Sequence, residues 1–303
     1  MTTVEVFAPA KINLTLHVTG RREDGYHLLD SLVVFADVGD SLRVENAGVI
    51  AETRRSATLS LSGPECQGVP DGSDNLVTRA VDMPVSGVAV RIGLEKNLPS
   101  AAGIGGGSAD AAATIRGVAH LWNMGVGKFG PNSHLNTVSL GLGADVPMCL
   151  DPRPWRASGI GERLEAVDVP QLDAILINPR IQVPTGKVFA ALTTTENAPM
   201  NWPPRTGSVE EFCDWLAHMR NDLEGPARSV APVIADVLSE LSQLPGALLA
   251  RMSGSGATCF AIFEREESAQ QAANSLSDEH PDWWIRTTKL GDMSERSTPR
   301  EVG

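Results

Sequence analysis

A glycine-rich segment followed by alanines is the part of the sequence best suited to bind a ligand. Residues 97–113 read NLPSAAGIGGGSADAAA, with four glycines between positions 103 and 107. Without Cβ atoms the backbone can curl around an anion, and a helix start offers unpaired N–H groups with about half a positive elementary charge. The pattern predicts a phosphate site at a helix N-terminus. The alternative is a flexible connection between a strand and a helix.

This glycine loop differs from the two most familiar phosphate loops. A Walker A loop ends in GK[ST], and no lysine follows these glycines. A dinucleotide fingerprint needs GxGxxG after an early strand, whereas Ser108 occupies the third glycine position here. A dinucleotide-dependent oxidoreductase is therefore disfavoured.

Other residues with reactive side chains lie near the N-terminus and beyond the glycine loop. Lys11 is in a short polar interruption of a strand-like run, and Asp145 lies between a glycine-rich helix end and Pro147. Tyr26, the only tyrosine, is followed by His27, and such a pair suits a flat base by stacking and hydrogen bonding. The alternatives are a surface lysine, a helix-capping aspartate and an exposed turn tyrosine.

The elements that must position these residues can be read from the periodicity. Apolar residues alternate from Ile12 to Val18, which predicts one strand, and a helical period covers about Ser108 to Trp122. Two later strands are joined by the glycine hairpin Ser253–Gly256. Strands and helices mix throughout, so the sequence predicts an α+β protein.

Composition and charge limit the class of protein. The 303 residues carry a net charge of −12, which argues against nucleic-acid or membrane partners. The four cysteines form no zinc spacing, the N-terminus has no signal-peptide pattern, and no apolar run reaches membrane-spanning length. We expect a cytoplasmic protein with reduced thiols, as a monomer or homodimer.

Three motifs in order resemble the GHMP kinase family (galactokinase, homoserine kinase, mevalonate kinase and phosphomevalonate kinase). PAKINL at 9–14 is similar to its first motif, GIGGGSADAA at 103–112 to its phosphate loop, and MSGSGA at 252–257 to its third motif. The resemblance implies a two-domain fold, with an N-terminal domain like ribosomal protein S5 domain 2 and a ferredoxin-like C-terminal domain. We divide the chain into residues 1–153, residues 154–291 and a disordered tail over 292–303.

DGYH at 24–27 and LGADVP at 142–147 resemble one branch of the family, whose substrate is a cytidine diphosphate-linked methylerythritol. The resemblance implies ATP-dependent phosphorylation of its 2-hydroxyl group in the non-mevalonate isoprenoid pathway. Another GHMP kinase and a non-catalytic nucleotide-binding protein remain alternatives. The pair Tyr26-His27 argues against the first, and the retention of Lys11 and Asp145 argues against the second.

The branch also implies roles for individual residues. By this resemblance Asp145 would be the general base, and Lys11 would stabilise phosphoryl charge. Asn13, Tyr26, His27, Thr185 and Phe189 bind the substrate, its cytosine lying at Tyr26 and His27. The residues implied for ATP are Pro99, Ser100, Ala101, Ala102, Gly103, Ile104, Gly105, Gly106, Gly107, Ser108 and Ala109.

The metal is expected to be Mg²⁺ with ATP, and its protein ligands are unknown. Ser108 and Asp110 lie near the helix start, where Asp110 has the alternative of stabilising the helix dipole. The segment Asn221-Asp222 also matches the branch, with no catalytic role assigned to it.

Overall fold

A computed structural model describes residues 2–49, 56–84, 88–124 and 133–302. Within these ranges twelve strands form a single sheet, with helices packed on it. The strands are β1 Thr3–Asn13, β2 His17–Arg21, β3 His27–Val49, β4 Ser56–Ser62, β5 Val88–Glu95, β6 Trp155–Gly159, β7 Arg163–Ala166, β8 Leu172–Asn178, β9 Ala247–Met252, β10 Cys259–Phe263, β11 Trp284–Gly291 and β12 Arg300–Val302. The helices are α1 Leu76–Ala80, α2 Gly106–Leu121, α3 His134–Ser139, α4 Val146–Leu150, α5 Thr185–Ala190, α6 Val209–Ala217, α7 Glu224–Val230, α8 Val233–Gln243 and α9 Glu266–Glu279.

The long strand β3 joins the two halves of the sheet. The main path runs β12-β1-β3-β11-β8-β10-β9, and β3 also pairs with β2, β5 and β6. Its contacts are antiparallel, and the pair β4–β5 is parallel. The predicted mixture of strands and helices is confirmed. The predicted division after residue 153 stays a prediction, and the following hairpin β6–β7 pairs back onto β3.

Helix α2 packs closely on the N-terminal half of the sheet because its buried residues include Gly117 and several alanines. A Cβ atom on Gly117 would lie 2.9 Å from Val44 Cγ2 and 3.1 Å from Val6 Cγ2, so the helix packs tightly on β1 and β3. Ala109, Ala111, Ala112 and Ala113 are buried in the same hydrophobic core. The intervening Asp110 is also buried. The helical period predicted from the sequence is therefore confirmed.

The prediction of one strand from Ile12 to Val18 is wrong. Strand β1 ends at Asn13 and β2 begins at His17. The backbone of Leu16 leaves the sheet to pair with the segment before α7, as its N–H donates to Arg220 O (2.9 Å) and its carbonyl accepts from Asp222 N (2.8 Å). The side chains of Ile12 and Leu16 consequently lie in different hydrophobic cores.

Residues 292–302 also differ from the sequence prediction, which made them a disordered tail. Strand β12 pairs with β1, with Thr3 opposite Val302 and Glu5 opposite Arg300. Met293 is buried, and its N–H donates to Pro152 O (2.8 Å). The otherwise unpaired edge of β1 and the carbonyl of Pro152 give this polar segment partners that its own composition does not indicate.

Two further expectations concern the state of the cysteines and the absence of membrane-spanning helices. Cys66, Cys149, Cys213 and Cys259 are free thiols in the structure. Across the described ranges, every helix is too short or too polar to cross a membrane.

Candidate active site

The glycine loop ends at the N-terminus of α2, as the sequence predicts. Gly105 is the N-cap in the left-handed conformation (φ 64°), and Gly103 is also left-handed (φ 74°). A Cβ atom on Gly103 would lie 2.7 Å from the carbonyl oxygens of Ser253 and Gly256, so only glycine fits. The first N–H groups of α2 have no partner within the helix, while Gly107 is exposed and Ser108 half-buried. This end of α2 is able to bind an anion.

The glycine hairpin between β9 and β10 holds the loop from the C-terminal half. Thr258 N donates to Ala102 O (3.1 Å), and Ser253 Oγ donates to Gly103 O (3.2 Å). The same Ser253 Oγ accepts a hydrogen bond from Asn13 N (3.1 Å). The first and third sequence motifs therefore meet at the second, over separations of up to 240 residues.

Lys11 and Asp145 form an ion pair beside this loop. Lys11 Nζ lies 3.1 Å from Asp145 Oδ2, with the lysine 6% exposed and the aspartate side chain 37% exposed. Lys11 N donates to Ile104 O (2.9 Å), and a Cβ atom on Gly105 would lie 3.2 Å from Lys11 Cβ. Within the described residues the Asp145 side chain makes no capping hydrogen bond to α4. The alternatives of a surface lysine and a helix-capping aspartate are therefore not supported.

His27, one of the two residues expected to bind a base, lies against α5. The His27 ring stacks on Phe189, with centroids 4.7 Å apart and planes 23° apart. Burial lowers the pKa of His27, with a further contribution from Arg21, so its ring is neutral at pH 7. Thr185 Oγ1 lies 2.9 Å from Ser255 Oγ, next to the glycine hairpin. Tyr26 is 61% exposed.

The side-chain amide of Asn13 is held in place through its nitrogen only. Its Nδ2 donates to Ser31 Oγ (2.7 Å), and its buried Oδ1 has no hydrogen-bond partner among the residues that the structure describes. A Cβ atom on Gly254 would lie 3.3 Å from this Oδ1. A buried acceptor without a partner is costly, so Oδ1 is able to accept a hydrogen bond from a ligand beside the glycine hairpin.

Comparisons with known proteins identify the family. Residues 75–151 match the model described as GHMP kinases N terminal domain, and residues 205–282 match GHMP kinases C terminal. The 4-diphosphocytidyl-2-C-methyl-D-erythritol kinase of Roseobacter denitrificans is 50% identical over 304 residues, covering 98% of this chain and 97% of that protein. The chain belongs to the GHMP kinase family. It is a small-molecule kinase, so the oxidoreductase alternative is excluded.

Solved structures of GHMP kinases share the whole fold. A crystal structure of 4-(cytidine 5'-diphospho)-2C-methyl-D-erythritol kinase superposes with a TM-score of 0.75 at 33% identity, covering 95% of this chain and 99% of that one. A homoserine kinase from Cytophaga hutchinsonii gives 0.67 at 16% identity, covering 99% and 97%. These matches confirm the predicted two-domain GHMP kinase fold.

The kinase contains a buried charge cluster that sequence reasoning missed. Lys96 Nζ donates to Asp110 Oδ2 (2.8 Å) and to Asp40 Oδ2, and all three residues are buried. Asp40 Oδ1 accepts from Asn97 N (2.6 Å) and Leu98 N (2.9 Å), immediately before the glycine loop. The sequence shows each charge but not that the fold buries the three together.

Asn221 is a further residue of the kinase for which the sequence analysis assigned no role. Its Nδ2 donates to Met252 O (2.8 Å) and Gly254 O (2.9 Å), so it holds the backbone of the glycine hairpin. The match of Asn221-Asp222 to the family branch was the available signal.

The carboxylates near the loop of the kinase do not form an evident metal site. Asp110 is buried and bound to Lys96, although its Oδ1 has no partner among the described residues. Nor does any group of three His, Cys, Asp or Glu side chains in the described ranges suit a metal ion. Mg²⁺ binds phosphate oxygens and keeps several waters, so the ATP phosphates are its expected ligands.

Proposed function

We propose that this kinase transfers the γ-phosphoryl group of ATP to the 2-hydroxyl of 4-diphosphocytidyl-2-C-methyl-D-erythritol, in the non-mevalonate isoprenoid pathway. The ion pair of Lys11 and Asp145 beside the N-terminus of α2 carries the proposal, since it joins a charge stabiliser and a base to an anion site. Relatives with this activity in their names support the substrate, among them a kinase of Dinoroseobacter shibae that is 51% identical over 286 residues and covers 94% of both chains.

The glycine loop would bind the ATP phosphates with the N–H groups of α2. A cavity of about 250 Å³ adjoins the start of the loop at Pro99 and Ser100 and is also lined by Asn178. Glu65 and Arg180 close one side of it with hydrogen bonds of 2.7 and 2.8 Å. This cavity would hold the nucleoside end of ATP, because it adjoins the start of the glycine loop. When bound, Mg²⁺ would neutralise part of the phosphate charge.

Asp145 and Lys11 would divide the chemistry at the transferred group. The hydroxyl oxygen of the substrate forms a bond to the γ-phosphorus while the bond from that phosphorus to the bridging oxygen breaks, so ADP leaves with the electron pair. The hydroxyl proton passes to the Asp145 carboxylate. The Lys11 ammonium, which is 3.1 Å from Asp145 Oδ2, would lie next to the transferred group and stabilise negative charge on the phosphoryl oxygens.

His27, Phe189 and Tyr26 would recognise the cytosine of the substrate. The neutral His27 ring has one donor and one acceptor nitrogen for the base edge. The stack of His27 on Phe189 holds the ring in place, and the exposed Tyr26 ring offers a face for the base. Asn13 Oδ1 would accept a hydrogen bond from the substrate beside the glycine hairpin.

Turnover of separate acceptors tests the proposal. The purified chain receives ATP and Mg²⁺ with the cytidyl substrate, homoserine or mevalonate, and ADP release is measured. We expect turnover with the cytidyl substrate. Asp145→Asn should lower kcat by at least about 10²-fold, and Asp151→Asn at the other end of α4 should keep kcat within about threefold of the parent. No turnover of the cytidyl substrate, or an Asp145→Asn variant as active as the parent, would refute the assignment.

A variant at the base site separates binding from chemistry. Tyr26→Ala should mainly raise KM for the cytidyl substrate, because the stacking face is removed while Lys11 and Asp145 are unchanged. KM for ATP serves as the internal control. An effect on KM for ATP alone would contradict the cytosine role.

A further inference from the structure

The side chain of Arg116, in the middle of α2, is buried and binds main-chain carbonyls from three other segments. Its Nη1 donates to Cys149 O (2.5 Å), with Leu150 O at 3.5 Å, at the C-terminal end of α4. Its Nη2 donates to Phe7 O (2.8 Å) in β1, and its Nε donates to Ser297 O (3.2 Å) in the C-terminal segment. The residue is 3% exposed.

This guanidinium is a charge retained inside the protein. Burial lowers the pKa of Arg116 to about 10, so it stays protonated at neutral pH. The carbonyls at a helix C-terminus carry partial negative charge, which a buried cation complements. The rigid fork of the guanidinium reaches acceptors in several directions at fixed angles, which an ammonium cannot do.

Three of the elements that meet at Arg116, namely α2, α4 and β1, each carry a part of the active site away from the Arg116 contact. Helix α4 begins directly after Asp145, and its five residues are all buried and span about 7.5 Å. Strand β1 reaches Lys11 four residues after Phe7, about 13 Å along the strand. Helix α2 starts at the glycine loop, ten residues before Arg116.

We propose that Arg116 is a positioning residue, which fixes Asp145 and Lys11 relative to the phosphate end of α2. It touches neither residue and acts through the buried backbone of α4 and β1. The C-terminal segment completes the arrangement, because Ser297 is buried and supplies one of the four acceptors. The catalytic role of the positioned residues rests on the function proposed above.

Arg251 offers a matched control for this role. It is buried in β9, and its guanidinium also donates to three main-chain carbonyls: Leu14 O (2.8 Å), Leu216 O (2.9 Å) and Met219 O (2.8 Å). Loss of either guanidinium group, that of Arg116 or that of Arg251, should destabilise the protein. Of the two arginines, only Arg116 binds α4, which begins directly after Asp145.

The experiment compares Arg116→Lys with Arg251→Lys in the full chain. Thermal unfolding followed by circular dichroism gives Tm and the folded fraction, and kcat and both KM values are measured per folded enzyme. We expect a similar fall in Tm for the two variants. Arg116→Lys should lower kcat by about tenfold or more, since small misplacements of reacting groups cost such factors, with both KM values within about threefold of the parent. Arg251→Lys should lower kcat by less than Arg116→Lys, because it leaves the bonds to Cys149 O and Leu150 O in place, although its own guanidinium binds Leu14 O three residues after Lys11.

A parental kcat in folded Arg116→Lys, or equal losses of kcat in both variants, would overturn the proposal. If the parent uses another acceptor instead of the cytidyl substrate, the proposed function fails, and the same comparison with that acceptor still decides the role of Arg116.

Discussion

Replacing Lys96 by methionine should destabilise the kinase strongly. The ammonium lies between Asp40 and Asp110, and the three side chains are at most 5% exposed. Methionine keeps the apolar stem of the side chain and removes the charge, so two buried carboxylates lose their common partner. Removing one member of a buried ion pair costs about 3–5 kcal/mol in the free energy of unfolding.

The pH dependence of this loss follows from the pKa of Asp110. Burial and repulsion by Asp40 already raise this pKa well above the usual value, against the opposing effect of Lys96. Without Lys96 the folded state binds a proton that the unfolded state, with a carboxyl pKa of about 3.9, has released. The destabilisation should therefore be smaller at pH 5 than at pH 8. Adding Asp110→Asn to Lys96→Met should recover part of it, because one carboxylate is removed.

Lys289 provides the control, since it also lies between two carboxylates but at the surface. Its Nζ is 2.9 Å from Asp173 Oδ1 and 2.7 Å from Glu266 Oε2, and its side chain is 35% exposed. Lys289→Met should cost about 0–1 kcal/mol because solvent screens the pair. Equilibrium urea unfolding followed by circular dichroism measures both variants. Equal losses for Lys96→Met and Lys289→Met would refute the reasoning from burial.

Lys96→Met should also weaken ATP binding. Asp40 accepts the N–H groups of Asn97 and Leu98, so movement of Asp40 displaces the start of the glycine loop. We expect KM for ATP to rise in folded Lys96→Met, while KM for the acceptor changes less. An unchanged KM for ATP would show that the loop does not depend on this cluster.

Three further predictions concern histidines and the glycine loop. Since the pKa of His27 is lowered, KM for the cytidyl substrate should be constant above about pH 6.5 and rise at lower pH, as steady-state kinetics would show. Burial also lowers the pKa of His17, so the unfolded state binds more protons and stability should fall below about pH 6.5, by at most about 1.4 kcal/mol per pH unit in urea unfolding. Gly103→Ala should abolish tight ATP binding in a titration, because its Cβ would overlap the Ser253 carbonyl oxygen.

Controls and opposing outcomes are available for each. His27→Asn should raise KM at all pH values and flatten its pH dependence, and an unaltered profile would assign the titration elsewhere. His17→Gln should reduce the acid-induced loss of stability, and an unchanged slope would contradict the role of His17. Gly186→Ala, with no atom within 4 Å of its added Cβ, should behave as the parent, whereas full ATP affinity in Gly103→Ala would contradict the steric argument.

The sequence alone determined the local parts of the site. Glycine and alanine preferences act within a few residues, so the loop, the helix that follows it and the order of the three motifs could be read directly. The same local information predicted the helical face of α2 and the mixed character of the fold. It also indicated Lys11 and Asp145 by residue type and motif.

Tertiary structure decided which of these groups meet. Lys11 and Asp145 are 134 residues apart, and their contact depends on β1, α2 and α4 packing together. Partners distant in the chain also decided the break after Asn13 and the pairing of β12 with β1. The burial of Arg116 depends on carbonyls from three distant segments. Hydrophobic periodicity predicts only which face of a single helix or strand is buried. A backbone group at a sheet edge or a buried charge is stabilised by hydrogen-bond partners from distant segments, and only the tertiary fold determines which segments these are.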